Sequence, residues 1–85
     1  MLPPFDLSVP SDDRYRSLAP EAAAKYAELA GRPAADAQSF GAEVGAATDR
    51  LAKPDQNVDV KLSEVDGKVE ASLSCNGQSA TVHSR

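Results

Sequence analysis

The sequence lacks the residues that mark disulfide-bonded and nucleic-acid-binding proteins. It contains one cysteine, no tryptophan and no cluster of lysine and arginine among its 85 residues. One cysteine cannot form an internal disulfide, and a lone thiol is typical of a reducing compartment. A formal charge of −4 without a basic cluster argues against nucleic-acid binding, because phosphate backbones are bound through clustered cations.

Long hydrophobic runs are also missing. No stretch approaches the roughly 20 apolar residues that a membrane-spanning helix needs, so we expect no membrane association. Residues 1–4 contain no basic segment followed by an apolar one and do not resemble a signal peptide. From these features together we predict a cytoplasmic protein.

A thin core is the next expectation. A chain of 85 residues forms one domain and buries only about 60 to 65 % of the surface that its unfolded chain exposes. Alanine supplies much of the apolar content, which limits the core further. We therefore predict a single domain over residues 1–85, with residues 1–4 as a loose terminus and with marginal stability or support from a partner chain.

The clearest periodic pattern predicts a helix over residues 35–51. Its apolar residues recur at intervals of three and four, which places one face of a helix inward: Ala37, Phe40, Val44, Ala47 and Leu51. Gly41 and Gly45, four residues apart, are poor helix formers. We interpret this pair as a place where another helix or the sheet approaches closely, rather than as a ligand contact.

An earlier helix is predicted with Ser11 as its N-cap and Gly31 just after its end. Pro20 interrupts it, because an interior proline removes a backbone donor and clashes with the preceding turn. The sequence allows either a kink near Ser17 or a short turn over residues 12–16 followed by a separate helix from Leu18. The expected apolar side consists of Tyr15, Leu18, Ala19, Ala22, Tyr26, Leu29 and Ala30.

The remaining segments alternate between apolar and polar residues, as half-buried strands do. Two turn signals, Asp66-Gly67 and Asn76-Gly77, predict hairpins. The order is β-α-α-β-β-β, and we predict an α+β fold with two helices packed on one face of a mostly antiparallel sheet of three or four strands. The inward strand positions are Phe5, Leu7, Val9, Val58, Val60, Leu62, Val69, Ala71, Leu73, Cys75, Ala80 and Val82.

Three short runs carry a family resemblance. They are residues 7–15, which include the turn Pro10-Ser11-Asp12, residues 27–31, and Asp36-Ala37 leading into residues 43–47. In this order they resemble the N-terminal half of the bacterial anti-sigma-factor serine kinases, which share an ATPase superfamily with histidine kinases, gyrase and MutL. The resemblance covers about residues 5–77. It implies a regulatory protein whose second helix corresponds to the family's ATP-motif helix.

The resemblance also implies a degenerate ATP site. The family has a Glu followed four residues later by an Asn that holds magnesium, whereas here Glu43 is followed by Ala47, which has no oxygen to offer. The family's Asp-x-Gly-x-Gly falls on residues 75–79, where Cys75 replaces the adenine acceptor and Ser79 the second glycine. The family continues with a glycine-rich lid, which would follow Arg85, and we expect it to be absent.

Two hypotheses follow. The first is a non-catalytic regulatory or interaction module, neither enzyme nor cofactor-binding, that holds a protein partner or a second copy of itself. If the last strand leaves an unpaired edge, dimerisation by strand addition is one way to hold it. The alternative is a divergent protein that binds ATP or ADP with magnesium through Glu43 and Asp49 on the helix and through Asn76 and Gly77 in the turn.

No metal site is predicted. Cys75 is interpreted as a small buried apolar residue and His83 as a solvated side chain. A lone histidine and a lone cysteine do not supply the three or four ligands of a zinc site.

Overall fold

The structure, a computed structural model, describes residues 2–84, without the side chain of Asp13. It confirms the predicted α+β class and the order of elements, with four strands in the sheet. The elements are β1 (Phe5–Pro10), α1 (Asp13–Arg16), α2 (Leu18–Leu29), α3 (Ala34–Leu51), β2 (Asn57–Val65), β3 (Lys68–Cys75) and β4 (Gln78–His83).

The four strands form one antiparallel sheet in the spatial order β1-β2-β3-β4. Helices α2 and α3 cover one face, with α3 packed on β3 and β4 and α2 packed on β1 to β3. No helix within residues 2–84 combines the length and the apolar character needed to cross a membrane.

Both predicted turns are confirmed. Asp66 and Gly67 join β2 to β3 with φ of 53° and 80°, and Asn76 and Gly77 join β3 to β4 with φ of 50° and 85°. Positive φ at both central residues defines a type I′ turn, whose twist matches that of the strands it joins. These turns fix the register of the last three strands, with Val65 opposite Lys68 and Cys75 opposite Gln78.

The helix before Gly31 is divided, and the second of the two sequence interpretations is the one observed. Helix α1 ends at Arg16 and α2 begins at Leu18. Pro20 therefore occupies the third position of α2, where its backbone nitrogen has no intrahelical acceptor to lose. A division at this point accommodates the proline without a kink.

The sequence predicts Ser11 as the N-cap of the first helix, and this prediction is wrong. The N-cap of α1 is Asp12. The Asp12 carboxylate accepts the Arg14 backbone N–H at 2.9 Å and also binds the Arg14 guanidinium at 2.9 Å. The hydrogen bond from the Arg14 side chain, followed by that from its backbone, lowers the pKa of Asp12 below its ordinary value of 3.8.

The predicted inner face of α3 is confirmed, since all five of its apolar residues are buried. The predicted inner face of α2 is only partly right: Tyr26 and Ala19 are buried, but Leu18 and Leu29 are 44 % and 64 % exposed. Leu18 and Leu29 belong to the same continuous helix as Tyr26, but they lie to one side of its buried face, which carries mainly alanine: Ala19, Ala23 and Ala27. The core of the described chain consists of Val9, Ala19, Ala23, Tyr26, Ala27, Ala37, Phe40, Val44, Ala47, Leu51, Val58, Val60, Leu62, Val69, Ala71, Leu73 and Cys75.

Two other residues predicted to face the core are also exposed. Tyr15, on α1, is 43 % exposed, and Phe5, at the start of the edge strand β1, is 47 % exposed. Leu7 is half-buried, and Val9 is completely buried. The first strand therefore enters the core only at its far end.

Within the terminus that the sequence predicts to be loose, Leu2 packs against the core, whereas Pro3 and Pro4 are exposed. The backbone N–H of Leu2 donates to Glu64 Oε1 at 2.7 Å, and the Tyr26 hydroxyl donates to the Pro3 carbonyl oxygen at 3.0 Å. Met1, which belongs to that predicted terminus, lies outside the described residues. Burial, with a smaller contribution from the Glu64 carboxylate, raises the pKa of the Tyr26 phenol above its ordinary value of 10.0.

The glycine pair of α3 marks the closest approach of the two long helices, as predicted. A Cβ atom on Gly41 would lie 2.9 Å from the Pro20 carbonyl oxygen and 3.1 Å from Ala24 Cβ. A Cβ atom on Gly45 would lie 3.3 Å from Pro20 Cβ, which is a side-chain contact. Only glycine at position 41 lets α2 and α3 pack at this distance without displacing backbone.

We predict that Gly41→Ala destabilises the domain. The added methyl group would push against a backbone carbonyl, and overpacking of this kind costs about 1–3 kcal/mol, offset in part by roughly 1 kcal/mol of better helix propensity. Urea unfolding followed by circular dichroism measures the difference. Gly45→Ala is the matched control and should be the more stable of the two variants; a Gly41→Ala variant more stable than the original protein would contradict the packing argument.

A second prediction concerns Tyr26→Phe. At pH 7 we expect a loss of about 0.5–1.5 kcal/mol, because the hydrogen bond to Pro3 disappears. Below pH 10 the phenol is protonated in both states, whereas at higher pH the unfolded state loses its proton first and the original protein loses stability. The difference in unfolding free energy between the two proteins, measured in urea, should therefore be smaller at about pH 10.5 than at pH 7. A gap that widens with pH would be inconsistent with a raised pKa.

Candidate functional site

Glu43, the first of the predicted nucleotide-binding residues, is exposed on α3 beside the last strand. It lines an open groove of about 570 Å³ between α3 and β4. The groove is formed by Glu43, Ala46 and Arg50 from the helix and by Thr81, Val82 and His83 from the strand. Both signs of charge are therefore present along one side of it.

The other predicted residues do not line this groove. Asp49 is six residues from Glu43, which places it about 120° away around the helix. Its Oδ1 atom lies 3.8 Å from Arg16 Nη1, on the side of α3 that faces α1. Asn76 and Gly77 form the turn at the opposite end of β4 from His83. Nucleotide binding by these four residues stays a prediction.

Two of the three positions that differ from the ATP family, Ala47 and Cys75, face the core, whereas the third, Ser79, is exposed. Ala47, where the resemblance places the magnesium ligand, is completely buried, and Cys75, where it places the adenine acceptor, is 3 % exposed. Both side chains belong to the apolar cluster between the helices and the sheet. A polar ligand at either position would point into that cluster, where an unpaired polar group is costly.

Cys75 and His83 lie as predicted, the first buried in the core and the second exposed. Within residues 2–84 no three His, Cys, Asp or Glu side chains come together in an arrangement that could hold a metal ion.

Comparison with protein-family models and with curated proteins finds no match for this chain. The likeness to the anti-sigma-factor kinases rests on the short motifs quoted above and stays a prediction.

The sheet face opposite the helices is polar and is covered by no described element. Its side chains form rows across the four strands, and hydroxyl groups predominate. One row contains Ser8, Asp59, Ser74 and Ser79, and the next contains Asp6, Lys61, Ser72 and Thr81. This face is polar and exposed, which is what one-sided antiparallel sheets present to solvent.

The backbone of β4 can be divided into groups that bind β3 and groups that point away. In a two-residue hairpin the residues next to the turn form a hydrogen-bonded pair, and such pairs then alternate along the strands. Counting from Cys75 and Gln78, the last hydrogen-bonded pair is Val69 with Ser84. The Ser84 N–H does donate to the Val69 carbonyl at 2.8 Å, and the Ser84 hydroxyl accepts the Val69 N–H at 2.7 Å.

The outer edge of β4 therefore presents the backbone N–H and C=O groups of Ser79, Thr81 and His83, which no described strand pairs. The edge has no proline, no lysine and no bulge, the devices by which proteins usually block an exposed edge. Ala80 and Val82, which point toward the helices, are only half-buried. We call this strip, together with the groove beside α3, the β4 edge.

The opposite edge of the sheet, formed by β1, is blocked by a proline and a charged residue. By the same counting from Val65 and Lys68, the outward backbone groups of β1 belong to Asp6, Ser8 and Pro10. Pro10 has no N–H to donate, and Asp6 carries a charge. The two edges of one sheet thus differ in their capacity to accept another strand.

Proposed function

We propose that this chain is a non-catalytic regulatory domain that holds a protein partner by strand addition at the β4 edge, and that it acts in the cytoplasm. The unblocked backbone of Ser79, Thr81 and His83 is the observation that carries the proposal. An added strand would satisfy these groups with main-chain hydrogen bonds, the general basis of affinity in this mode of recognition. The lone buried thiol of Cys75 supports the reducing compartment.

Side chains beside the edge would supply specificity. An added strand would cover the half-buried Ala80 and Val82, which favours an apolar residue at alternate positions of the partner. On the helix side, Glu43 and Arg50 would select the charge pattern of the partner. An edge with these features binds an extended segment better than it binds a small molecule.

The positions of Ala47 and Cys75 support the interpretation that the domain does not catalyse phosphoryl transfer. Phosphoryl transfer depends on charge neutralisation and positioning of the phosphates, and the residue that would hold magnesium is here an alanine inside the core. Glu43 without that ligand is a surface carboxylate in an open groove.

Selection of short extended peptides from a random display library tests the proposal. We expect selected peptides to shift the backbone amide resonances of β4, and Thr81→Pro to weaken their binding at least about tenfold, because it removes a central outward N–H. Ser8→Pro, at the corresponding outward position of β1, is the matched control and should bind normally. Binding that is equal in both variants, or shifts confined to β1, would refute the proposed edge.

Titration with ADP and magnesium tests the alternative. Under the proposal, the amide resonances of Glu43 and Asn76 stay in place up to millimolar nucleotide, since Asn76 does not line the groove beside Glu43 and the position of the family's magnesium ligand, Ala47, is buried. Saturable shifts at both residues would instead favour the nucleotide-binding hypothesis. Glu43→Gln is the variant that would then have to weaken them.

A further inference from the structure

We infer that the occupant of the β4 edge is a second copy of this chain, paired antiparallel through β4 about a two-fold axis at Thr81. This inference rests on the proposed function and identifies its partner. The axis would place Thr81 opposite its own copy and Ser79 opposite His83 of the second copy. All the outward backbone groups of both strands would then be paired, and the two sheets would become one sheet of eight strands.

The charges on α3 fit the same axis. Glu43 and Arg50 are exposed and lie on the side of α3 that lines the groove, with Ala46 between them. Neither forms an ion pair with another described residue. In an antiparallel arrangement of two α3 helices, Glu43 of one copy faces Arg50 of the other, and the reverse pair forms at the same time. The surface is therefore complementary to itself.

One axis serves both the strand and the helix. The midpoint between Glu43 and Arg50 falls at Ala46 and Ala47, and the midpoint of the outward groups of β4 is Thr81. Ala46 and Thr81 line the same groove from its two sides. A rotation that pairs the strands in register therefore also brings the opposite charges of the helices together.

The expected distance between the helices is that of packed helices. With strands about 4.8 Å apart, β4 lies about 2.4 Å and β3 about 7 Å from the axis. Helix α3, which packs on these two strands, lies about 5 Å from it, so that the two α3 axes are about 10 Å apart. The small side chain of Ala46 at the centre allows this approach, and Val82 of each copy becomes covered.

Sedimentation equilibrium over about 1 μM to 1 mM protein tests the inference, a range that spans weak and moderate dimers. We expect a concentration-dependent dimer of the original protein. Thr81→Pro should raise the dimer Kd at least about tenfold, and Ser8→Pro, the control on the blocked edge, should leave it unchanged. Circular dichroism and thermal unfolding of each variant verify that it is folded.

Charge reversal tests the register. Glu43→Arg alone and Arg50→Glu alone each place like charges opposite one another, and each should weaken the dimer by about tenfold or more. An equimolar mixture of the two variants should form a heterodimer as tight as the original dimer, since both opposite-charge pairs are restored. The double variant Glu43→Arg with Arg50→Glu should dimerise with itself. Failure of both rescues would overturn the register.

Strand addition at the β4 edge and a second copy as its occupant can be refuted independently. An original protein that remains monomeric at 1 mM but whose β4 edge binds selected peptides would overturn the second copy as occupant and keep strand addition. A monomer whose β4 edge binds no peptide would overturn both. A dimer that Thr81→Pro does not weaken would place self-association on another surface and reject the inference.

Discussion

The close contact between α2 and α3 at Gly41 is the constraint on which the rest of the structure depends. A sheet of four short strands has room for two helices on one face only if they lie close together, and the absence of a side chain at Gly41 permits Pro20 and Ala24 to reach the α3 backbone. The alanine-rich inner face of α2 fits this arrangement. Because α2 covers β1 to β3, α3 lies over β3 and β4, and its outer side runs along the last strand.

This placement joins the two parts of the proposed interaction surface. The outward backbone groups of β4 and the charged side of α3 belong to segments far apart in the sequence, and the packing of α3 brings them to one groove. The other edge of the sheet ends in Pro10 and carries Asp6, so that the domain has one edge open to another strand and one that is blocked. A fold with a thin core would gain further buried surface from a partner at the open edge.

The family resemblance and the geometry lead to compatible interpretations. The motifs suggest an ATPase-related fold whose chemistry has been lost, and the buried positions of Ala47 and Cys75 give a physical reason why the present residues suit a core better than a nucleotide site. Glu43, the one matching residue of the ATP motif, lies instead beside the β4 edge. Its proposed role changes from polarising a nucleophile to pairing with Arg50 of a second copy.

The sequence by itself determined the local features. The three-and-four spacing from Ala37 to Leu51 predicted α3, and the pairs Asp66-Gly67 and Asn76-Gly77 predicted the hairpins, because helix period and turn conformation depend on neighbouring residues alone. It left open whether Pro20 would kink a helix or follow its start, and it wrongly placed Leu18 and Leu29 inside. Only the tertiary structure decided which face of α2 is buried, that β4 lies at an edge, and that Glu43 and Arg50 border it, because these facts depend on how distant segments pack.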